Sequence, residues 1–305
     1  LYHSGESDVI GVDCVEHARE APNLRGVALA DYVHRDTLFE ALPKLRRVSA
    51  IFHQGASTNT LEADAAAVMS NNFDYARRRA ALALERRVPF FYASSAAVYG
   101  DGQRGFDEDA GAESALSAYA RSKLALDEWV RSQLPRARSP LAGLRYFNVY
   151  GPGEAHKGRM ASMAYHLLRA AVEGEPLRLF EGSDGFRRDF IHVDDVVRMN
   201  LFCYERGPSG IFNAGTGVAT TFTELAELVR ESHPGASLEV VPMPADLRRQ
   251  YQTSTRADLT KLRGAGYAHG MRPVADGVRA YARCVQRQRY VEAAARARST
   301  APEIA

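Results

Sequence analysis

The run Val88-Pro89-Phe90-Phe91-Tyr92-Ala93-Ser94-Ser95 is apolar at successive positions and ends in two hydroxyls. A strand of that kind is buried on both faces, which suits a parallel sheet covered by helices. Three comparable runs share the first half of the chain. Val9-Ile10-Gly11-Val12-Asp13 ends in a carboxylate, and Ala50-Ile51-Phe52-His53-Gln54-Gly55-Ala56 runs into a glycine. The third, from Leu141 to Tyr150, is closed by Gly151-Pro152. Helical patterns from Ala65 to Arg86 and from Ser117 to Leu134 lie between them. Alternation of strand and helix implies parallel strands with crossover helices, an α/β doubly wound sheet over residues 1–152. Ligands of such sheets gather at the carboxyl ends of the strands, where Gly55, Ser95 and Asn148 fall.

After Pro152 the alternation becomes irregular. Helical stretches (Met160 to Glu173, Phe222 to Ser232) mix with short strands (Leu177 to Phe180, Leu238 to Val241), which reads as a smaller α+β substrate domain over residues 153–290. Residues 189–216 form one more helix-and-strand excursion, packing back on the first sheet. Residues 291–305, rich in Ala and Arg, read as a tail.

The chain has 305 residues and a formal net charge of +2, without a polybasic block. Nothing in it calls for nucleic acid or a membrane surface, and no apolar run approaches the roughly 18 residues of a membrane span. The polar start is not a signal peptide. Cys14, Cys203 and Cys284 are scattered and odd in number, so neither a disulfide framework nor a metal site is expected, and a cytoplasmic protein fits.

Tyr119 and Lys123 are spaced i,i+4, which places a phenol and an ammonium on one helix face. A free tyrosine titrates near ~10, so acting as a base near neutrality needs a fall of roughly 3 units, about 4 kcal/mol. One cation at ~4 Å in an effective dielectric of ~20 supplies about that much. Ser95, at the end of the neighbouring strand, can hold a substrate oxygen. Tyrosine, lysine and serine so placed suit hydride chemistry at a carbinol carbon.

These residues, with Gly55-Ala56, Asn71-Asn72, Ser95 to Gly100, Arg145-Tyr146-Phe147-Asn148-Val149-Tyr150-Gly151-Pro152, Arg188 to Asp195 and Phe212 to Gly217, resemble the extended short-chain dehydrogenase/reductase family, which acts on nucleotide sugars. The resemblance covers nearly the whole chain and implies a Rossmann domain. The segment Glu154-Ala155-His156-Lys157-Gly158-Arg159-Met160 is most similar to the branch that inverts C6 of ADP-heptose-type nucleotide sugars in lipopolysaccharide core synthesis. That branch oxidises the carbinol transiently and returns hydride to the opposite face.

The resemblance assigns Tyr119 and Lys157 as the two acid/base groups, Lys123 as ribose ligand and modulator of Tyr119, and Ser95 as donor to the reacting oxygen. It places a nicotinamide cofactor, NADP with NAD as the alternative, against Asp13, Cys14, Gln54, Gly55, Ala56, Ser57, Thr58, Asn71, Lys123, Val149 and Lys157. The basic residue for a 2′-phosphate falls near Arg19-Glu20, with Arg35 as a second candidate; Asp13 reads equally as a turn aspartate. Asn148, Arg159, His166, Phe180, Glu181, Gly182, Ser183, Arg188 and Tyr251 match positions that hold the sugar nucleotide. Arg188 suits a diphosphate by its planar fork, while His166 reads equally as a packed helix-surface residue. The resemblance also implies a homo-oligomer.

Two departures stand out. The family opens with a strand and a Gly-rich turn that receives the pyrophosphate, and this sequence starts beyond them. The expectation is therefore a fragment or misplaced start, a sheet with a gap, and weak dinucleotide binding by the chain as written. Ala155 and Arg159 stand where the branch has Gly and Ser. A UDP-hexose 4-epimerase would lack the His-Lys-Gly segment. A dehydratase would carry Asp-Glu where this chain has Ala96-Ala97. A non-catalytic binding protein would have no use for Ser95, Tyr119, Lys123 and Lys157 together.

Overall fold

The computed structural model describes residues 8–15, 22–24, 27–45, 47–58, 64–244 and 252–299. Its elements in chain order begin with β1 (Ile10–Asp13), β2 (Asp31–His34), α1 (Leu38–Ala41), β3 (Ile51–His53), α2 (Ala65–Met69) and α3 (Tyr75–Glu85). They continue with β4 (Phe90–Ser95), α4 (Ala118–Gln133), β5 (Leu141–Tyr146), β6 (Asn148–Tyr150), α5 (Met163–Glu173), β7 (Leu177–Phe180) and β8 (Arg187–His192). The last are α6 (Val193–Arg206), β9 (Gly210–Ala214), β10 (Ala219–Thr221), α7 (Phe222–Ser232), β11 (Leu238–Val241), α8 (Thr260–Gly264) and α9 (Val274–Ser299).

Contacts divide the chain into two compact units. The first comprises Leu1–Ser94, Ser117–Leu144 and Met199–Ile211; the second comprises Ser95–Leu116, Arg145–Arg198 and Phe212–Ala305. The division interleaves along the sequence, with Met199–Ile211, inside the 189–216 stretch, in the first unit and Ser95–Leu116 in the second.

The first unit is the parallel-sheet α/β part. β3 pairs in parallel with β4 in a sheet of order β3-β4-β5-β9, and β1 pairs in parallel with β2 in a separate ladder. Among the described residues the two ladders are separate. β4 is buried over Phe90 to Ser94, as its unbroken apolar run requires. Ala76, Ala80 and Ala83 of α3 form a small-residue face that packs, with Leu126 and Val130 of α4, around Phe90, Tyr92 and Leu141. Gly143 is needed there, because a Cβ would sit 2.4 Å from the Tyr92 ring.

The second unit holds the three-stranded sheet β10-β8-β6, with β6 parallel and β10 antiparallel to β8, and the parallel pair β11-β7. Helices α5, α7 and α9 supply Leu168, Leu225, Val278 and Tyr281 to a core that includes Phe190 and Phe222. Thr221 and Glu224 close a capping box at the start of α7.

Four details depart from the sequence expectations. β2 was not among the expected strands. The helix expected from Ala65 to Arg86 is split by a π-helical turn, Ser70–Asp74, between α2 and α3. The strand expected over Leu141 to Tyr150 breaks at Phe147, whose amide donates to Ala214 O at 3.1 Å while its own carbonyl accepts from Val149 N at 2.9 Å. β5 therefore joins the four-stranded sheet and β6 joins β8. The tail expected from residue 291 continues α9 to Ser299, because alternating Ala and Arg are strong helix formers; residues 300–305 lie outside the described residues. Among the described residues no helix is long and apolar enough to cross a membrane.

Arg145 is fully buried in the second unit, ion-paired with Glu113 and donating to Tyr99 Oη at 2.9 Å. Removing the carboxylate strands a cation in a water-free site. Glu113→Ala should therefore lower stability by about 3 kcal/mol or more in chemical denaturation, while Val218→Ala, at an exposed position, stays near wild type.

Candidate active site

Helix α4 starts at Ser117, whose side chain accepts from Ala120 N, and lays Tyr119, Lys123 and Asp127 along one face at i,i+4,i+8. Tyr119 is half-buried and Lys123 is 2% exposed. The Lys123 Nζ lies 5.9 Å from the centre of the Tyr119 ring and donates to Ala93 O at 2.7 Å. Burial pushes the Lys123 ammonium down to about 8, against a smaller upward pull from Asp127. Asp127 is fully buried and accepts from Tyr92 Oη at 2.8 Å and Ser94 Oγ at 2.9 Å, so β4 itself fixes the acid behind the lysine. Asp127 was not singled out from sequence, although its spacing from Lys123 repeats that of Lys123 from Tyr119.

The π-helical turn carries the next group. The Asn72 side chain accepts from Ser57 N at 2.8 Å and donates to Ser57 O at 3.0 Å and Ser122 Oγ at 3.2 Å. It ties the loop after β3 to α4, beside Lys123. Asn71 donates to Asn72 Oδ1 at 2.8 Å and accepts from Arg35 Nη1 at 2.5 Å. Arg35 lies over the Tyr75 ring at 4.5 Å, and its Nε is buried without a hydrogen-bond partner. Its amide donates to Asp13 O at 2.8 Å, which sets Arg35 beside the end of β1. The Asp13 carboxylate accepts from Cys14 N at 2.7 Å, a contact that a turn aspartate makes.

Gln54 is exposed and donates to Asn200 Oδ1 at 3.2 Å; Gly55 and Thr58 are exposed, and Ala56 is half-buried. A Cβ built on Gly55 meets nothing within 4 Å. His53 is pushed down to about 3, mainly by burial and next by Arg79, so it is neutral and its Nδ1 takes the Arg79 Nη1 donor at 2.9 Å. Thus Asp13, Cys14, Arg35, Gln54 to Thr58, Asn71, Tyr119 and Lys123 all belong to the first unit. Arg19-Glu20 lie outside the described residues.

Ser95 ends β4 and is the first residue of the second unit. Its Oγ accepts from Ala97 N at 3.2 Å, capping the turn Ala96–Tyr99 and leaving the hydroxyl proton to donate elsewhere. In β6, Asn148 Nδ2 approaches Asp189 O at 3.4 Å and Thr255 Oγ1 at 3.3 Å, and Val149 pairs with Ile191. Asp189 is fully buried and accepts from Thr216 N, Thr216 Oγ1, Gly217 N and Ala257 N at 2.6–3.0 Å. Those bonds hold the segment through Thr255 to Ala257 against β8. Burial raises the Asp189 carboxyl, and these donors partly offset the rise.

Arg188 is buried, with its guanidinium over Phe222 at 5.4 Å and Nη1 on Arg187 O at 2.8 Å. Phe180 to Ser183 form a turn after β7: Ser183 N donates to Phe180 O at 3.1 Å, and Gly182 has φ +85°. A cavity of about 990 Å³ opens between Phe106, Arg187, Val218 and Arg256; it does not include Asn148, Arg188 or the 180–183 turn. Tyr251 lies outside the described residues.

Lys157 and Arg159 are exposed on the 3-10 segment Ala155–Met160, where Gly158 at φ 54° and ψ −127° makes a bend that a side chain would strain. His166 Nε2 meets Arg159 O at 3.4 Å. Among the described residues no group of acidic, His and Cys side chains is placed to hold a metal.

A model of the NAD dependent epimerase/dehydratase family matches residues 1–215. An ADP-L-glycero-D-manno-heptose-6-epimerase of Brachyspira hyodysenteriae is 42% identical over 294 residues, covering 94% of this chain and 92% of that protein. The crystal structure of the Helicobacter pylori ADP-L-glycero-D-manno-heptose-6-epimerase superposes with a TM-score of 0.78 at 26% identity, over 91% of this chain and 87% of that one. A Thermotoga maritima UDP-glucose 4-epimerase reaches 0.81 at 21% identity, over 95% and 94%, which is a likeness of fold.

Lys123 gives a measurable signature. Its folded value of about 8 lies below its ordinary 10.5, so between those values the unfolded chain holds the extra proton and stability rises with pH. Lys123→Met removes that dependence. The stability of the variant relative to wild type should fall as pH rises from about 8 to about 10.5, read by thermal unfolding at several pH values.

Proposed function

The chain belongs to the NAD dependent epimerase/dehydratase family, and on that premise we propose that it is an isomerase inverting C6 of ADP-glycero-manno-heptose. The observation that carries the reading is the similarity to a 6-epimerase along nearly the whole chain. Tyr119, Lys123, Ser95 and the Lys157 segment supply the groups such a reaction needs.

A nicotinamide dinucleotide fits the first unit. The Arg35 guanidinium stands beside the end of β1, with its Nε 3.7 Å from Asp36 Oδ1, and the open space over Gly55 lets another molecule approach the backbone. When bound, the nicotinamide supplies a hydride acceptor that then acts as the donor. Lys123 would meet the ribose and, as a cation near the Tyr119 ring, favour the phenolate. Asp13, Cys14, Gln54 to Thr58, Asn71, Val149 and Lys157 would line the rest. Arg35, a cation beside the end of β1, favours NADP over NAD, because a guanidinium suits a 2′-phosphate.

The proton at O6 must leave and return on opposite sides of the carbon. Tyr119 takes it on one side and Lys157 on the other, while Ser95 donates to the oxygen. Asn148, Arg159, His166, Phe180 to Ser183, Arg188 and Tyr251 hold the sugar nucleotide. Ala96 and Ala97, where an eliminating enzyme carries acids, suit proton transfer without loss of water.

The reading is tested by giving the enzyme ADP-D-glycero-D-manno-heptose and following C6 configuration by NMR. Inversion is expected; an unchanged heptose with bound cofactor refutes the substrate. Lys157→Met and Tyr119→Phe should each cost about 10²-fold or more in turnover. Arg35→Ala should cut the affinity for NADP by roughly tenfold to a hundredfold and leave that for NAD nearly unchanged, read by calorimetry.

A further inference from the structure

Glu154 is an acidic residue almost without access to water, 5% exposed, three positions before Lys157. Its carboxylate has no cation paired with it among the described ion pairs, and it is satisfied by neutral donors from both ends of one loop. Oε1 accepts from Gly151 N at 3.2 Å and from Ser162 Oγ at 2.8 Å. Oε2 accepts from Ser162 N at 2.6 Å. The Tyr281 hydroxyl of α9 also meets this carboxylate, which, after burial, helps to raise its titration. The Glu154 carbonyl accepts from Lys157 N at 3.0 Å.

Gly151 ends the strand that carries Asn148 and Val149, and Ser162 caps α5, the helix that carries His166. One side chain therefore ties together the two ends of residues 151–162, and its backbone starts the turn on which Lys157 rides. An exposed lysine has four rotatable bonds and no intrinsic position. What limits its reach is the turn beneath it, and that turn is closed by Glu154. A carboxylate suits the task because it accepts three or more hydrogen bonds and donates none. We infer that Glu154 is the positioning residue for Lys157, setting where the second acid/base group can stand.

The inference rests on the reading of Lys157 as that group. Glu154→Gln keeps the size of the side chain but replaces one acceptor oxygen with a donor, which must face Ser162 or Gly151. The test is single-turnover reduction of bound NADP by each C6 epimer of ADP-glycero-manno-heptose, in wild type, Glu154→Gln, Ser162→Ala and Lys157→Met. Amide hydrogen exchange over residues 155–161 is measured beside it.

Lys157→Met identifies the epimer whose proton passes to Lys157. Glu154→Gln should slow that same epimer by about tenfold to a hundredfold, leave the other within about twofold, and raise exchange over residues 155–161. Ser162→Ala, which keeps the backbone bond to Oε2, should show the same bias more weakly. Equal slowing of both epimers, or unchanged exchange in Glu154→Gln, overturns the inference. If Lys157→Met itself shows no bias, the two-base reading fails instead; exchange still decides whether Glu154 fixes the turn.

Discussion

The first unit depends on keeping one cation where water does not reach. Lys123 can be buried because β4 answers it twice: its Ala93 carbonyl takes the ammonium directly, and its Tyr92 and Ser94 hydroxyls anchor Asp127 one helical turn further on. Each partner is fixed by a regular element, so little side-chain entropy is left to lose when a ligand arrives. The long apolar run of β4 is then more than core. It is the wall that holds α4 in register, and the register sets Tyr119 beside the lysine. Removal of a methyl from that wall would be felt as a change in charge placement as well as in packing.

In the second unit a carboxylate plays the matching part. Asp189 gathers donors from the loop after β9 and from the segment at Ala257, and its own carbonyl faces the Asn148 amide. The break at Phe147 makes this possible. A continuous strand from Leu141 would have kept Asn148 in the four-stranded sheet, with its backbone paired there. After the break, β6 pairs with β8, and the Asn148 side chain reaches Asp189 O and Thr255.

The alternation of buried runs and helical periods carries the parallel sheet, because burial on both faces leaves few architectures for such strands. The positions of Tyr119 and Lys123 on one face of α4, and of Ser95 at the end of β4, were legible because i,i+4 spacing and strand ends are local. Asp127, Glu154 and Asp189 were not singled out. Their importance lies in what they accept from, and those donors are distant in sequence or on the backbone, where residue identity leaves no trace. The Phe147 break was hidden because Arg145 to Tyr150 reads as strand on either side of it, and only the choice between two neighbours divides it. The return of Met199–Ile211 to the first unit falls inside the 189–216 stretch read from sequence as an excursion, whereas the placing of Ser95–Leu116 with the second unit left no sign in the sequence.

The π-helical turn at Ser70–Asp74 holds one residue more than an α-helical path would need. That extra residue lets Asn71 and Asn72 both serve the interior, one on Arg35 and one on Ser57 and Ser122, instead of lying on diverging faces. Along this stretch the chain is therefore a reading frame in three dimensions. Deleting a single codon between residues 70 and 74 would restore a plain helix and leave the faces before and after it in phase, with Ala76, Ala80 and Ala83 still on the core. What such a deletion would remove is the spare residue, so Asn71 and Asn72 could no longer both turn to the interior.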